Sequence, residues 1–131
     1  MKKIRLSIGL TLLAMPVCAT AAAPKADPAH GGQIFARCSV CHTLGASGGK
    51  MGPPLNGVVG RKAGSVPGYI YSAAMAKSGL TWEATTLARF LQAPAKTVPG
   101  TKMAFPGLAD PQDQADVVSY LKKYRADGSK K

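Results

Sequence analysis

The chain has 131 residues, a length that suits one modest domain rather than several. Its formal net charge is +11 at pH 7. It contains only three Phe, four Tyr and one Trp. Because a small domain buries proportionately little surface, this composition argues against a large self-sufficient core. It favours a chain that gains stability from a large apolar cofactor.

Residues 1–21 have the pattern of a cleaved signal peptide. Three basic residues precede an apolar run from about Leu6 to Val17, and small residues follow that run. We place the cleavage after Ala21, which predicts an exported, periplasmic domain of residues 22–131. The alternative is a retained membrane anchor, although the run is short for a span of ~20 residues.

The charge left after cleavage describes the surface of the mature domain. Loss of the leader removes three basic residues and no acidic one, so the net charge becomes +8. The basic residues form no dense cluster, which argues against nucleic-acid binding by an exported chain. The excess charge favours an acidic partner surface, or serves solubility.

The first predicted element of this domain is a helix from Pro28 to about Arg37. Asp27 has the character of an N-cap, and proline is favoured at the first helical position. Gly31 and Gly32 lie within this helix, as expected if another helix crosses it closely. After it, residues 44–68 are rich in Gly and Pro and lack apolar periodicity. So long an irregular segment is expected to wrap around something.

The second half of the domain predicts helices separated by turns. A short helix is expected over residues 72–78, and a second over 82–92, capped by Thr81 and stopped by Pro94. Residues 94–108 are predicted to be irregular. Asp110 and Pro111 then repeat the capping signal before an apolar stripe at helical spacing, formed by Val117, Tyr120, Leu121 and Tyr124. No strand pattern is present, so the fold class is all-α.

The motif Cys38-Ser-Val-Cys41-His42 carries the clearest chemical signal. Structural zinc takes four Cys or His ligands, but His30 is the only other such residue in the mature domain. A thioredoxin-like dithiol would need a βαβ setting, which is not predicted. The pattern C-x-x-C-H is instead typical of c-type haem attachment, with both cysteines bonded to the haem and His42 coordinating iron.

A second axial ligand would have to come from one of the three methionines in residues 22–131. Met51 lies only nine residues after His42, which is a short path around a haem. Met75 lies in a predicted helix, where a lone methionine is usually core. Met103 lies far along the chain in an irregular segment rich in Pro and Gly. The sequence favours Met103, with core filler as the alternative.

Together these segments resemble class I cytochrome c of the mitochondrial and bacterial cytochrome c2 type. The resemblance runs from about Gly31 to Tyr124 and rests on CSVCHT, GPPLNGVVGRKAG, PGYIYS, GLTW, PGTKMAFPG and YLKKY. It implies a small single-domain fold of helices and long loops wrapped around one covalently bound haem. The terminal helices would cross at Gly31, with Phe35 and Tyr120 packed around the crossing.

The resemblance also implies roles for individual residues. His42 and Met103 would be the axial iron ligands, and the carbonyl of Pro53 would hold the other nitrogen of His42. Donors around the haem propionates would come from Arg61, Tyr71, Trp82 and Thr101. A docking ring for acidic partners would come from Arg37, Lys50, Lys96 and Lys102.

The function implied is a soluble one-electron carrier, not an enzyme, working between respiratory or photosynthetic redox proteins. Its partners would be the acidic faces of a quinol–cytochrome c reductase, an oxidase, a reaction centre or a dehydrogenase, and the chain itself would be a monomer. The alternative is a haem enzyme or gas-binding protein in which the distal ligand is labile.

Overall fold

The computed structural model describes residues 24–45 and 50–131. The predicted signal peptide, residues 1–21, lies outside the described residues. The described helices are α1 (Pro28–Phe35), α2 (Ala73–Ala76), α3 (Ala84–Gln92), α4 (Pro94–Thr97) and α5 (Pro111–Leu121). Within these two ranges the only β pairings are isolated bridges, Lys62 with Thr81 and Tyr124 with Lys130. None of the helices in the described part of the chain is long and apolar enough to cross a membrane.

Helices α1 and α5 pack against each other at a glycine, as expected. A Cβ atom added to Gly31 would lie 2.0 Å from the backbone oxygen of Asp116, so no other residue fits at this crossing. Beside it, the rings of Phe35 and Tyr120 lie with their centroids 5.6 Å apart. This crossing fixes the position of the CxxCH segment, which directly follows α1.

Two helix starts agree with the capping signals in the sequence. The side chain of Asp27 accepts a hydrogen bond from the backbone N–H of Ala29. The side chain of Asp110 accepts one from Gln112 at the start of α5. Each satisfies a donor that a helix N-terminus leaves free.

The prediction that Thr81 caps a helix over residues 82–92 is wrong. Thr81 pairs with Lys62 in an antiparallel bridge, and the N–H of Trp82 donates to the carbonyl of Arg61 at 2.8 Å. This pairing keeps the backbone extended, so α3 begins two residues later than predicted, at Ala84, after Glu83.

Pro94 begins a further short helix, which the sequence did not predict. It is the first residue of the short helix α4, where proline is well tolerated because the N–H there is unpaired in any helix. The predicted irregular segment 94–108 therefore begins with one helical turn. Residues 44–68 are irregular where they are described, as expected.

Candidate functional site

The helices and loops surround a cavity of about 240 Å³. Its wall is mostly apolar and includes residues from the CxxCH segment, from α2, α3 and α5, and from the loops between them. Every residue predicted to bind the haem or its iron lies on this wall: Cys38, Cys41, His42, Pro53, Arg61, Tyr71, Trp82, Thr101 and Met103. Residues up to 65 positions apart in sequence thus meet at one site.

The two cysteines lie in a turn that follows α1, where the N–H groups of Cys38 and Ser39 both donate to the carbonyl of Phe35. The backbone N–H groups of Cys41 and His42 both donate to the carbonyl of Cys38, at 3.1 and 2.9 Å. Both thiols are free and partly buried, and burial raises the pKa of Cys38. The turn places the two sulfur-bearing residues and the imidazole on the same cavity wall.

The imidazole of His42 is held in one tautomer. Its Nδ1 lies 2.7 Å from the carbonyl oxygen of Pro53, and a carbonyl can only accept, so Nδ1 carries the proton. Burial lowers the pKa of His42, against the opposing effect of this hydrogen bond. A neutral imidazole with Nδ1 protonated leaves Nε2 free to coordinate a metal ion.

Gly52 packs closely against the imidazole ring of His42. A Cβ at Gly52 would lie 2.6 Å from Cε1 and 2.8 Å from Nδ1 of His42. The N–H of Gly52 donates to the carbonyl of Cys41 at 2.7 Å, and this hydrogen bond joins the Gly52 loop to the turn that carries the cysteines. The sequence analysis did not single out Gly52, because its role depends on a contact between two segments.

All three methionines among the described residues border the cavity, so a place on its wall does not by itself identify the iron ligand. Met51 is 80% exposed. Met75 is buried in α2, and Met103 is partly buried on the irregular segment after α4. Only Met103 combines partial burial with a loop position.

Arg61 supplies an unmatched donor to this cavity. Its two terminal nitrogens donate to the carbonyls of Asn56, at 2.7 Å, and Pro54, at 3.0 Å. Its Nε is the one buried side-chain polar atom in the described residues without a hydrogen-bond partner. Burial also lowers the pKa of the guanidinium. A half-buried cation with a buried, unpaired donor atom fits the carboxylate of a haem propionate.

The four predicted docking residues do not occupy equivalent places. Arg37 and Lys102 line the cavity, and the Arg37 guanidinium lies 5.4 Å from the Phe105 ring centroid. Lys50 donates to the carbonyl of Ser39 within the CxxCH segment. Lys96 is exposed on α4, and the structure does not bring it to the cavity wall.

Tyr69 joins three segments at the cavity wall and was missed from the sequence. Its hydroxyl donates to the carbonyl of Met51 at 2.9 Å, and its ring packs edge-on against Tyr71 with centroids 4.7 Å apart. The Lys102 ammonium lies 5.4 Å from the Tyr69 ring centroid. Aromatics two residues apart in an extended segment share one face, a signal that PGYIYS contains.

Comparison with known proteins gives one consistent result. The family model Cytochrome c matches residues 28–125. Cytochrome c2 of Rhodomicrobium vannielii is 47% identical over 122 residues, covering 92% of this chain and 95% of that protein. Cytochrome c-554 of Methylosinus trichosporium is 41% identical over 132 residues and covers both chains fully.

A solved structure agrees with these sequence relatives. Cytochrome cH from Methylobacterium extorquens superposes with a TM-score of 0.70 at 48% identity, covering 73% of this chain and 97% of that one. The all-α fold predicted from the sequence is thereby confirmed. The chain belongs to the cytochrome c family, whose members carry a covalently bound c-type haem and act as electron carriers rather than enzymes.

Proposed function

We propose that this chain is an exported, periplasmic one-electron carrier whose c-type haem is ligated by His42 and Met103. The observation that carries the proposal is the 2.7 Å hydrogen bond from His42 Nδ1–H to the Pro53 carbonyl. It leaves Nε2 as the coordinating nitrogen and makes the imidazole a stronger donor to a metal.

The haem supplies a one-electron change between Fe(III) and Fe(II). The chain's own groups would hold it: Cys38 and Cys41 as thioethers to the vinyl groups, and His42 on one face. The mainly apolar wall excludes water, which favours a higher reduction potential. Arg61 would bond one propionate through its free Nε, with Tyr71, Trp82 and Thr101 as further donors.

Met103 decides between a carrier and the alternative, a haem enzyme or gas-binding protein. A thioether as second protein ligand leaves no open iron position and raises the reduction potential. Two contacts fix the chain just before Met103: Lys102 donates to the carbonyl of Ile70, and the N–H of Met103 donates to Thr101 Oγ1 at 3.3 Å. These contacts support stable ligation and therefore electron transfer without substrate binding.

The proposed partners are redox proteins with acidic faces, such as a quinol–cytochrome c reductase, an oxidase, a reaction centre or a dehydrogenase. Three of the four proposed docking residues lie at or beside the cavity, namely Arg37, Lys50 and Lys102. The fourth, Lys96, lies on α4 away from the cavity wall. We propose that these four cations steer a monomeric carrier to its partners.

The test of this function is the absorption spectrum of the periplasmically expressed protein, oxidised and reduced, with and without carbon monoxide. We expect sharp reduced bands, a weak far-red sulfur-to-iron band in the ferric state, and no response to carbon monoxide. M103A should lose the far-red band and bind carbon monoxide.

Two matched controls use the other methionines that border the cavity. M51A and M75A should keep the far-red band, because neither residue is proposed to coordinate. A wild-type spectrum that lacks the band and shifts with carbon monoxide would mean an open distal site and favour the enzyme or gas-binding alternative. The mass of the same preparation tests the leader, since cleavage after Ala21 leaves residues 22–131.

A further inference from the structure

Met51 combines a fixed backbone with a free side chain. Its carbonyl accepts a hydrogen bond from the Tyr69 hydroxyl at 2.9 Å. The next residue, Gly52, donates its N–H to the carbonyl of Cys41 at 2.7 Å. Met51 borders the cavity, yet the residue is exposed. The fold therefore holds this thioether at a defined place on the surface, although packing buries little of it.

Met51 belongs to a small set of exposed apolar residues that we call the apolar patch. In the described part of the chain, the large apolar residues that are exposed are Val40 (74%), Met51 (80%) and Ile70 (82%). Hydrogen bonds join the three segments that carry them. Lys50 donates to the carbonyl of Ser39, within the CxxCH segment. Tyr69, which precedes Ile70, donates to the carbonyl of Met51. The apolar patch is therefore carried by one connected part of the fold.

Cations stand around the apolar patch. The Lys102 ammonium lies 5.4 Å from the Tyr69 ring centroid and donates to the carbonyl of Ile70. Arg37 and Lys102 also line the cavity, and no carboxylate does so among the described residues. An apolar centre with a charged rim is the composition of a protein interface, and this one is complementary to an acidic partner. The apolar patch therefore lies within the proposed docking surface.

The three methionines that border the cavity differ in how an oxidant reaches their sulfur. Met75 is buried in α2, and Met103 is partly buried. Under the proposed function the Met103 sulfur also donates a lone pair to iron, so it is less available to an oxidant. Met51 is both exposed and free of any proposed bond to iron. Because an oxidant must contact the sulfur to form a sulfoxide, a peroxide reaches Met51 first.

We propose that Met51 is a peroxide-sensitive modification site on the docking surface, and that oxidation of its sulfur weakens binding to acidic redox partners while the haem ligands stay in place. One oxygen of hydrogen peroxide bonds to the Met51 sulfur, the O–O bond breaks, and the other oxygen leaves as water. The sulfur loses two electrons and the peroxide gains them. The product is a sulfoxide, which is polar but carries no net charge.

The sulfoxide changes the polarity of the apolar patch without changing its charge. Its oxygen accepts hydrogen bonds from water, and a docked partner would displace that water without replacing the bonds. The surrounding cations are unaltered, so electrostatic steering and its dependence on salt remain. Oxidation therefore weakens the complex mainly through faster dissociation. Because a methionine sulfoxide can be reduced back to the thioether, the effect is reversible.

This inference rests on the proposed function in two respects. Protection of Met103 requires its bond to the haem iron, and weaker docking requires a carrier that meets redox proteins. Oxidation of Met51 itself requires neither, because it depends only on the exposure of this side chain.

The first part of the experiment locates the oxidation by mass. The ferric, haem-loaded protein is treated with hydrogen peroxide for increasing times, catalase stops the reaction, and trypsin cleaves the chain after Lys and Arg. Each methionine then lies in a separate peptide, 51–61, 63–77 or 103–122. We expect peptide 51–61 to gain one oxygen on the order of tenfold faster than the other two. The far-red sulfur-to-iron band should stay unchanged over the same times.

The second part measures the affinity for a soluble redox protein with an acidic face, from stopped-flow electron transfer at increasing partner concentration. Treated and untreated samples are compared within each variant. Wild type and M75L should lose affinity on the order of fivefold after treatment, with an unchanged dependence on salt. M51L, which keeps an apolar side chain but has no sulfur, should show no loss. Untreated M51Q, polar and uncharged, should resemble oxidised wild type.

Three results would overturn the proposal. They are oxidation of Met103 as fast as Met51 while the far-red band of the untreated protein is present, an unchanged affinity of oxidised wild type, and an equal loss in treated M51L. Failure of the proposed haem ligation is read separately, as a missing far-red band before any peroxide is added. In that case the oxidation rate of peptide 51–61 and the comparison of wild type with M51L still decide the role of Met51.

Discussion

His30 Nδ1 lies 2.8 Å from Asp116 Oδ2, and this contact joins the first turn of α1 to α5. The same carboxylate accepts hydrogen bonds from the N–H of Asp27 and the side chain of Gln112, both at 2.7 Å. Asp113 lies 4.0 Å from the imidazole. The carboxylates that act on His30 are those of Asp116, Asp113 and Asp27. A protonated imidazole is therefore the form that this helix crossing favours.

The first prediction is a loss of stability at alkaline pH. The hydrogen bond to Asp116 raises the pKa of His30 above its ordinary value of 6.5. Its stabilising contribution is therefore complete below 6.5 and is lost as pH rises through the raised pKa. The pKa of Asp116 is lowered by the N–H of Asp27 and then by His30, so its contribution is lost only as pH falls below 3.8.

Chemical unfolding of wild type and H30Q, at about pH 5 and about pH 9, measures this difference. H30Q should be less stable than wild type at the acidic pH and similar to it at the alkaline pH. D113N is the control, because Asp113 is farther from the imidazole and should change the profile less. A stability difference that stays constant with pH would contradict the prediction.

The second prediction compares two adjacent glycines of α1. G31A should destabilise the fold by about 1–3 kcal/mol or more, because the new Cβ would collide with the backbone of α5. In G32A the Cβ would instead meet the Tyr120 ring at 3.1 Å, and alanine favours helix by about 0.5–1 kcal/mol. G32A should therefore be close to neutral. Denaturant midpoints of the two variants, measured side by side, decide the order.

The third prediction concerns the packing of Gly52 against the imidazole of His42. Gly52 does not have a positive φ, so G52A adds a steric contact without backbone strain. The added Cβ should displace the imidazole and lengthen its hydrogen bond to Pro53, which makes His42 a weaker donor and raises the reduction potential. NMR exchange of the His42 Nδ1 proton should also become faster. A variant with an unchanged potential and unchanged exchange would show that the loop absorbs the Cβ.

The fourth prediction concerns the half-buried guanidinium of Arg61. R61Q removes a positive charge from the cavity wall, which stabilises the more positive oxidised state and lowers the reduction potential. We expect the reduction potential to decrease by less than ~59 mV, the shift that corresponds to a tenfold change in the equilibrium constant for one electron. R61K retains the charge and should show a smaller fall. Potentiometric titration of the three proteins measures the order, and equal potentials would place Arg61 outside the electrostatic field of the haem.

The fifth prediction concerns docking through Arg37, Lys50, Lys96 and Lys102. Reversing Lys50 and Lys102 to glutamate should slow association with an acidic redox partner and flatten its dependence on salt. Reversing Lys122 and Lys123, which follow α5 and do not line the cavity, is the matched control and should leave the rate in solution nearly unchanged. Stopped-flow electron transfer at several salt concentrations gives both values. An unchanged rate in the first variant would place docking elsewhere.

Local signals in the sequence predicted several elements correctly. Asp27-Pro28 and Asp110-Pro111 mark helix starts because capping and the fixed φ of proline act within a few residues. The C-x-x-C-H motif similarly needs no distant information. Thr81 was misassigned as a cap because its bridge to Lys62 is a long-range contact that local propensity does not contain.

The sequence by itself determined the all-α class, the family and the residues that could meet a haem, since each depends on residue types at short spacing. Only the tertiary structure decided which groups touch. It showed the unpaired Nε of Arg61, the close packing of Gly52 against the His42 ring, and the close approach of Gly128 to the backbone of Gly45. The physical reason is that close packing joins segments far apart in sequence, and contacts of this kind leave no periodic or local pattern behind.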